Sequence, residues 1–308
     1  MTAAERESLR DVRGIVFAID QTATHDGPGL RMLVYLKGCP LGCIWCHSPE
    51  SRRSEPQIVW YGARCVSCGA CVERCPRGLR SPNPLAGPDP GECLLCEACV
   101  AACETGALEV KGGWVSAGDI VDQAVRQRAF FDASGGGVTL SGGEPALQPE
   151  FARALLRLLR GEGIHTAVET SGLATRAVLR EIAATTDLFL YDLKHADDEL
   201  HRRDTGASNR AILENLARLI AEGAEVIVRV PCIPGRNGTP ETIADIARVA
   251  RDRGATRISL LPYNPATPGK YAWLQRPCPV AGTKPQTDHE MRVLEDVARA
   301  EGLTVVEP

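Results

Sequence analysis

Cysteine dominates the chemistry of this 308-residue chain, with 13 in all. Cys39, Cys43 and Cys46 are spaced C-x3-C-x2-C. Cys65, Cys68, Cys71 and Cys75 follow as C-x2-C-x2-C-x3-C, ending at Pro76. Cys93, Cys96, Cys99 and Cys103 repeat that spacing without the proline, and Cys232 and Cys278 stand alone. The opening MTAAERESLR lacks the apolar stretch of a secretory signal, so a cytoplasmic location is expected, where thiols serve metals or redox chemistry rather than disulfides. The odd count also forbids complete pairing. Pairs spaced C-x2-C suit tetrahedral zinc. Thiolates two or three residues apart also let one loop wrap three corners of an iron–sulfur cubane, with the fourth corner supplied from elsewhere, and this reading is preferred for the two four-cysteine runs. The triad offers three thiolates to four irons and leaves one iron open, as a catalytic centre requires. A zinc site of the three cysteines plus His47 is the alternative on spacing alone.

These residues must be positioned by a scaffold. Apolar, β-branched runs at 14–19, 32–36, 137–140, 164–168, 187–191, 225–230 and 257–261 alternate with helix-period segments at 150–161, 174–184, 209–222 and 240–252. That alternation predicts a parallel sheet, whose functional residues sit at the C-terminal strand ends. Polar motifs fall there: SGGEP (141–145), ETSG (169–172), DLKH (192–195) and LPYN (261–264). Residues 57–111 hold eight cysteines, little apolar periodicity and a Pro/Gly-rich middle over 81–91. So short and polar a stretch cannot build an ordinary core, and metal clusters bonded to its thiolates would have to hold it together. It reads as an inserted domain between 1–56 and 112–308. The composition, 44% hydrophobic and 24% charged, is that of a soluble globular protein. No apolar stretch is long enough to span a membrane, and a net charge of −4 without basic runs argues against nucleic-acid binding.

The run DGPGLRMLVYLKGCPLGCIWCHSPE (26–50) resembles the start of the radical S-adenosylmethionine (SAM) proteins that activate glycyl radical enzymes. The likeness continues through ASGGGVTLSGGEP (133–145), VETSG (168–172), YDLKHADDELHRRDTG (191–206), VRVPCIPGRN (228–237) and LPYNPATPGKYAWL (261–274), covering essentially the whole chain. The 57–111 segment is similar to the ferredoxin-like insert of the family's larger branch, and its two cysteine runs match bacterial ferredoxin spacing. The resemblance implies an incomplete (β/α)6 barrel with a ferredoxin-like domain carrying two [4Fe-4S] clusters. Six parallel strands are expected, with the first two runs partly forming an N-terminal addition. The crossed ferredoxin pattern implies one cluster on Cys65, Cys68, Cys71 and Cys103, and another on Cys93, Cys96, Cys99 and Cys75.

The implied activity is that of a radical SAM oxidoreductase. SAM chelates the open iron of a third [4Fe-4S] cluster, held by Cys39, Cys43 and Cys46. One electron cleaves its sulfonium bond, and the resulting 5′-deoxyadenosyl radical removes a glycine Cα hydrogen from a partner glycyl radical enzyme. No side chain need act as acid or base. Residue by residue, Trp45, Cys46 and His47 match positions that contact SAM. Gly142, Gly143 and Glu144 match a turn beside the methionyl amino group, where glycine would allow close backbone approach. Asp192, Leu193 and Lys194 match a motif near the SAM carboxylate and ribose, and Arg229 a residue reaching the methionyl carboxylate. Asn264 stands where relatives carry histidine near the adenosyl moiety; it keeps hydrogen bonding but not positive charge. Glu169, Thr170 and Asp192 occupy positions that bind a monovalent cation in some relatives. Asp26–Gly29 and Gly135–Gly137 are candidate contacts for the partner's glycyl loop. A flavodoxin- or ferredoxin-type reductant and a monomeric state are also expected. A radical SAM enzyme acting on a small molecule or peptide, and a three-cluster electron-transfer protein, are the rival readings. Nothing in the chain names the partner.

Overall fold

The computed structural model describes residues 2–80 and 93–307, so the Pro/Gly-rich stretch expected over 81–91 lies outside the described residues. Eleven strands are described: β1 (Arg13–Ala23), β2 (Arg31–Leu36), β3 (Gln57–Trp60), β4 (Leu108–Lys111), β5 (Gly113–Ser116), β6 (Gly137–Gly142), β7 (His165–Thr170), β8 (Leu188–Asp192), β9 (Val226–Cys232), β10 (Arg257–Pro262) and β11 (Thr304–Val305). Nine form one open sheet in the order β11-β10-β9-β8-β7-β6-β2-β1-β5. From β2 through β6 to β11 every pairing is parallel, with a helix in each crossover after β6. β1 and β5 are antiparallel additions at one edge. The six full parallel strands are therefore β2 and β6–β10. The second apolar run is the first strand of the partial barrel, and only the first run is an addition.

The sheet's two faces differ because side chains alternate along each strand. Val34, Leu140, Val168, Tyr191 and Val228 point outward, into one apolar layer with the helices Pro149–Gly161, Arg210–Ala221 and Pro240–Asp252. The alternate positions line the lumen. Ala167, Leu188 and Leu190 fill its lower part, while Glu169, Asp192 and Arg229, nearer the C-terminal strand ends, place charge above them.

The 57–111 segment forms its own two-stranded sheet, with β3 and β4 antiparallel and Gln57 opposite Lys111. Between them, the two cysteine runs have matching backbones. Ser67 and Leu95 occupy equivalent positions with φ of +57° and +50°, and Gly69 and Glu97 with +80° and +59°. Each run then enters a short helix, Ala70–Glu73 or Ala98–Ala101. Left-handed Leu95 and Glu97 are strained for residues with a Cβ, so the surroundings must impose that conformation.

Candidate functional site

The cysteine triad lies on the loop leaving the C-terminal end of β2. Its backbone is tied to the helix Asp198–Thr205: Gly42 N–H donates to the Thr205 carbonyl at 2.7 Å and Ile44 N–H to the Asp204 carbonyl at 2.9 Å. Asp204 is in turn held by His195, whose Nε2 lies 3.0 Å from its carboxylate. Trp45 is buried with Ile233, Tyr263 and Val280, edge-on to the His195 ring at 5.9 Å. It anchors the loop, while His47 is exposed. Burial pushes the Cys39 thiol up to about 12 and the Cys43 thiol up to about 11. Neither ionises at neutral pH without a compensating cation.

Beside the triad, Gly142–Gly143–Glu144 closes β6 against the same loop. Glu144 N–H donates to the Gly38 carbonyl at 2.7 Å, and Gly143 N–H to Leu36 at 2.8 Å. A Cβ at Gly143 would stand 2.0 Å from the Gly38 carbonyl oxygen, and one at Gly142 2.4 Å from Leu36 N. These glycines are demanded by the neighbouring backbone of the chain itself. The Glu144 side chain is fully buried, accepting from Thr170 Oγ1 (2.7 Å), Ser171 N–H (2.9 Å), Ser171 Oγ (2.7 Å) and Ala146 N–H (3.2 Å).

The lumen groups converge on Arg229. Its guanidinium lies 2.7 Å from Glu169, 3.2 Å from Asp26 and 3.7 Å from Asp192, while Lys194 pairs with Asp192 at 3.0 Å. Burial opposes the charge on Arg229, but Glu169, Asp192 and Asp26 outweigh it and raise its pKa. Burial raises the Glu169 carboxyl, with Arg229 pulling the other way. Among the described residues, Asp192 Oδ1 and Arg229 Nε are buried without a hydrogen-bond partner. Thr170 faces the opposite side of β7, committed to Glu144, so it does not join Glu169 and Asp192. Leu193 packs in the outer apolar layer. Asn264 is exposed and its side-chain carbonyl accepts Ala266 N–H at 2.9 Å, a local turn ahead of the helix Thr267–Trp273. Gly29 and Gly136 are packed backbone to backbone, which joins the 26–29 and 135–137 loops.

Two groups at the site were not singled out from the sequence, although Asn237 closes the VRVPCIPGRN run. Asn237, fully buried, donates to the Lys194 and Pro231 carbonyls and accepts Ile233 N–H, each at 2.8 Å, joining the ends of β8 and β9. Arg52 donates to the Cys43 carbonyl and, at 2.9 Å, to the Tyr271 hydroxyl. In the 57–111 segment, Cys75, Cys93, Cys96 and Cys99 line one cavity. Among the described residues, no three Cys, His, Asp or Glu side chains are arranged to hold a single metal ion, and no helix is long and apolar enough to cross a membrane.

The radical SAM superfamily model matches residues 33–250. The chain is 40% identical over 296 residues to the isethionate sulfite-lyase activating enzyme of Nitratidesulfovibrio vulgaris, covering 94% of this chain and 96% of that one. It is 37% identical over 295 residues to the choline trimethylamine-lyase activating enzyme of Oleidesulfovibrio alaskensis, covering 93% and 95%. A radical SAM methyltransferase from Sphaerobacter thermophilus shares the fold, with a TM-score of 0.54 at 16% identity over 99% of this chain and 81% of that chain. Similarity of this extent, spanning the cysteine loop and the lumen groups alike, makes the chain a member of the glycyl radical enzyme activating enzymes of the radical SAM superfamily.

Proposed function

We propose that this chain activates a partner glycyl radical enzyme by abstracting hydrogen from a glycine Cα of that partner, using SAM and a [4Fe-4S] cluster on Cys39, Cys43 and Cys46. The observation that carries the reading is the position of the triad at the rim of a lumen that holds an unsatisfied carboxylate oxygen and an unsatisfied guanidinium N–H side by side. Asp192 Oδ1 and Arg229 Nε suit a ligand bearing both ammonium and carboxylate, the amino-acid end of SAM. Three thiols on one loop, with Cys39 and Cys43 pushed up by burial so that they ionise only beside a cation, suit iron. When bound, cluster and cofactor supply one-electron cleavage of the sulfonium bond and the hydrogen abstraction that follows.

The chain's own residues bind, orient and exclude. Asp204, Thr205 and Trp45 fix the cysteine loop. Arg229 and Lys194 present cations to a carboxylate, and Asp192 an acceptor to an ammonium. Lumen residues Leu188 and Leu190 keep water from beneath the site. The open sheet leaves room for a protein loop, and Asp26–Gly29 and Gly135–Gly137, joined ahead of β2 and β6, are read as its contacts.

The 57–111 segment is read as an inserted two-cluster module on the crossed ligand sets. The cavity shared by Cys75, Cys93, Cys96 and Cys99 supports the second set, and the matched left-handed turns suit loops wrapped around cubanes. Its task would be conduction from a flavodoxin- or ferredoxin-type donor. Anaerobic reconstitution with iron and sulfide analysis tests the whole: about twelve iron atoms per chain are expected, and reduced protein with SAM should release 5′-deoxyadenosine and methionine. A plateau near a third of that iron, with bound zinc, would overturn the module's reading; absence of both products would overturn the activity.

A further inference from the structure

Arg52 lies outside every motif described above, yet it grips the cysteine loop at two points. The 3-10 turn Pro49–Ser51 ends at it, and its carbonyl accepts Cys39 N–H at 3.2 Å. Its Nη2 reaches forward to the Cys43 carbonyl and the Tyr271 hydroxyl. Tyr271, almost fully buried, sets its ring 5.7 Å from the guanidinium carbon. The nearby carboxylates belong to other cations: Glu50 faces Lys270 at 3.5 Å and Glu55 faces Arg53 at 3.9 Å. Among the described residues, none pairs with Arg52, and its Nε is buried with no hydrogen-bond partner. A half-buried cation without a carboxylate needs another anion. The anion this loop offers is the thiolate-bound cluster.

We propose that Arg52 is a positioning residue that sets the reduction potential of the cluster on Cys39, Cys43 and Cys46, holding its positive charge and free Nε–H against the cysteine loop at Cys43 while Tyr271 fixes its orientation. This rests on the reading of the triad as cluster ligands. Positive charge and N–H donors near cluster sulfur stabilise the reduced form. Arg52 would thereby ease transfer of one electron from a flavodoxin- or ferredoxin-class donor.

The test is an electrochemical titration of reconstituted protein followed by electron paramagnetic resonance. The core cluster is identified as the one whose spectrum changes when SAM is added. At the potential where half of the wild-type core cluster is reduced, Arg52→Gln should lower its reduced-to-oxidised ratio about tenfold, the order expected for losing one unit charge at a partly screened site. Arg52→Lys should fall between, and the SAM-insensitive clusters should not move. An unmoved ratio in an Arg52→Gln protein that still responds to SAM overturns the proposal. If Arg52→Gln holds no core cluster, Arg52→Lys and Tyr271→Phe decide: a smaller loss in the same direction is expected in both, and no change in either overturns it. Absence of any SAM-sensitive cluster in the wild-type protein would instead overturn the reading of the triad.

Discussion

Gly143→Ala should remove the core cluster without touching the cofactor directly. The added Cβ would stand 2.0 Å from the Gly38 carbonyl oxygen and 2.6 Å from its carbon. An ordinary carbon–oxygen contact is about 3.3 Å, so one backbone must retreat by more than about 1 Å. Gly38 has nowhere to go, because its N–H is bonded to the carbonyls of Ser51 (2.6 Å) and Arg53 (3.1 Å). Its own φ of +94° also leaves few alternatives. Relief must come from the turn, breaking the Glu144–Gly38 hydrogen bond, or from Cys39 next in the chain. Overpacking costs roughly 1–3 kcal/mol and the lost bond about 1 kcal/mol more, giving about 2–4 kcal/mol in denaturant unfolding. A displacement of that size at Cys39 spoils one corner of the ligand set. Iron should drop by about one cubane per chain, with the SAM-sensitive signal lost and the other clusters kept. Gly113→Ala, at a glycine of ordinary φ with open space around it, is the control and should change nothing. A Gly143→Ala protein with full iron and wild-type unfolding would refute the reasoning and return this glycine to a role in ligand approach.

Cys43→Ala should abolish formation of both 5′-deoxyadenosine and methionine; undiminished product would sink the triad assignment. Asn237→Ala leaves Ile233 N–H and two carbonyls unsatisfied and should cost about 2–4 kcal/mol in urea unfolding, with wild-type stability counting against its bracing role. Burial lowers the pKa of His195; the unfolded chain binds this proton more readily, so the contribution of His195 to stability falls as pH drops through about 6.5, while Glu169, raised by burial, works in the opposite direction. The difference in unfolding midpoint between wild type and His195→Gln should therefore move against the wild type from about pH 7.5 to 5.5, and parallel profiles would contradict the sign. Cys68→Ala and Cys96→Ala should slow turnover with a protein reductant and recover much of it with a small chemical donor, provided circular dichroism shows intact folding; equal losses with both donors would remove the relay.

The parallel strands were legible because their runs are buried on both faces and rich in β-branched residues. The cysteine spacings were legible because ligand geometry constrains short loops. The strand-end motifs indicated which turns surround the triad but not how their side chains are spent. Glu144 is consumed by Thr170 and Ser171, and Asn264 by its own turn, outcomes set by which donors tertiary packing brings near. Gly142 and Gly143 showed a need for small residues, while the atoms demanding it, on Leu36 and Gly38, lie more than a hundred positions away. Arg52 was invisible for a similar reason. Two consecutive arginines at 52–53 match no motif, and only the fold brings Tyr271, 219 positions distant, against one of them. The β3–β4 pairing was equally hidden, since two four-residue strands separated by a long intervening stretch have no local signal.

That pairing has a topological consequence. With Gln57 opposite Lys111, the chain leaves for its eight-cysteine excursion and returns at one spot, roughly one interstrand spacing of 5 Å across. Only one residue, Gly112, then separates β4 from β5, which rejoins the main sheet beside β1. The excursion is therefore tethered at a two-stranded stem, which also meets the rest of the chain where the Tyr61 ring lies 5.1 Å from that of Trp273. A single splice at that stem could add or delete it without altering the order of any strand in the barrel. A short linker joining residues 56 and 112 should likewise yield a chain whose sheet still closes on β5.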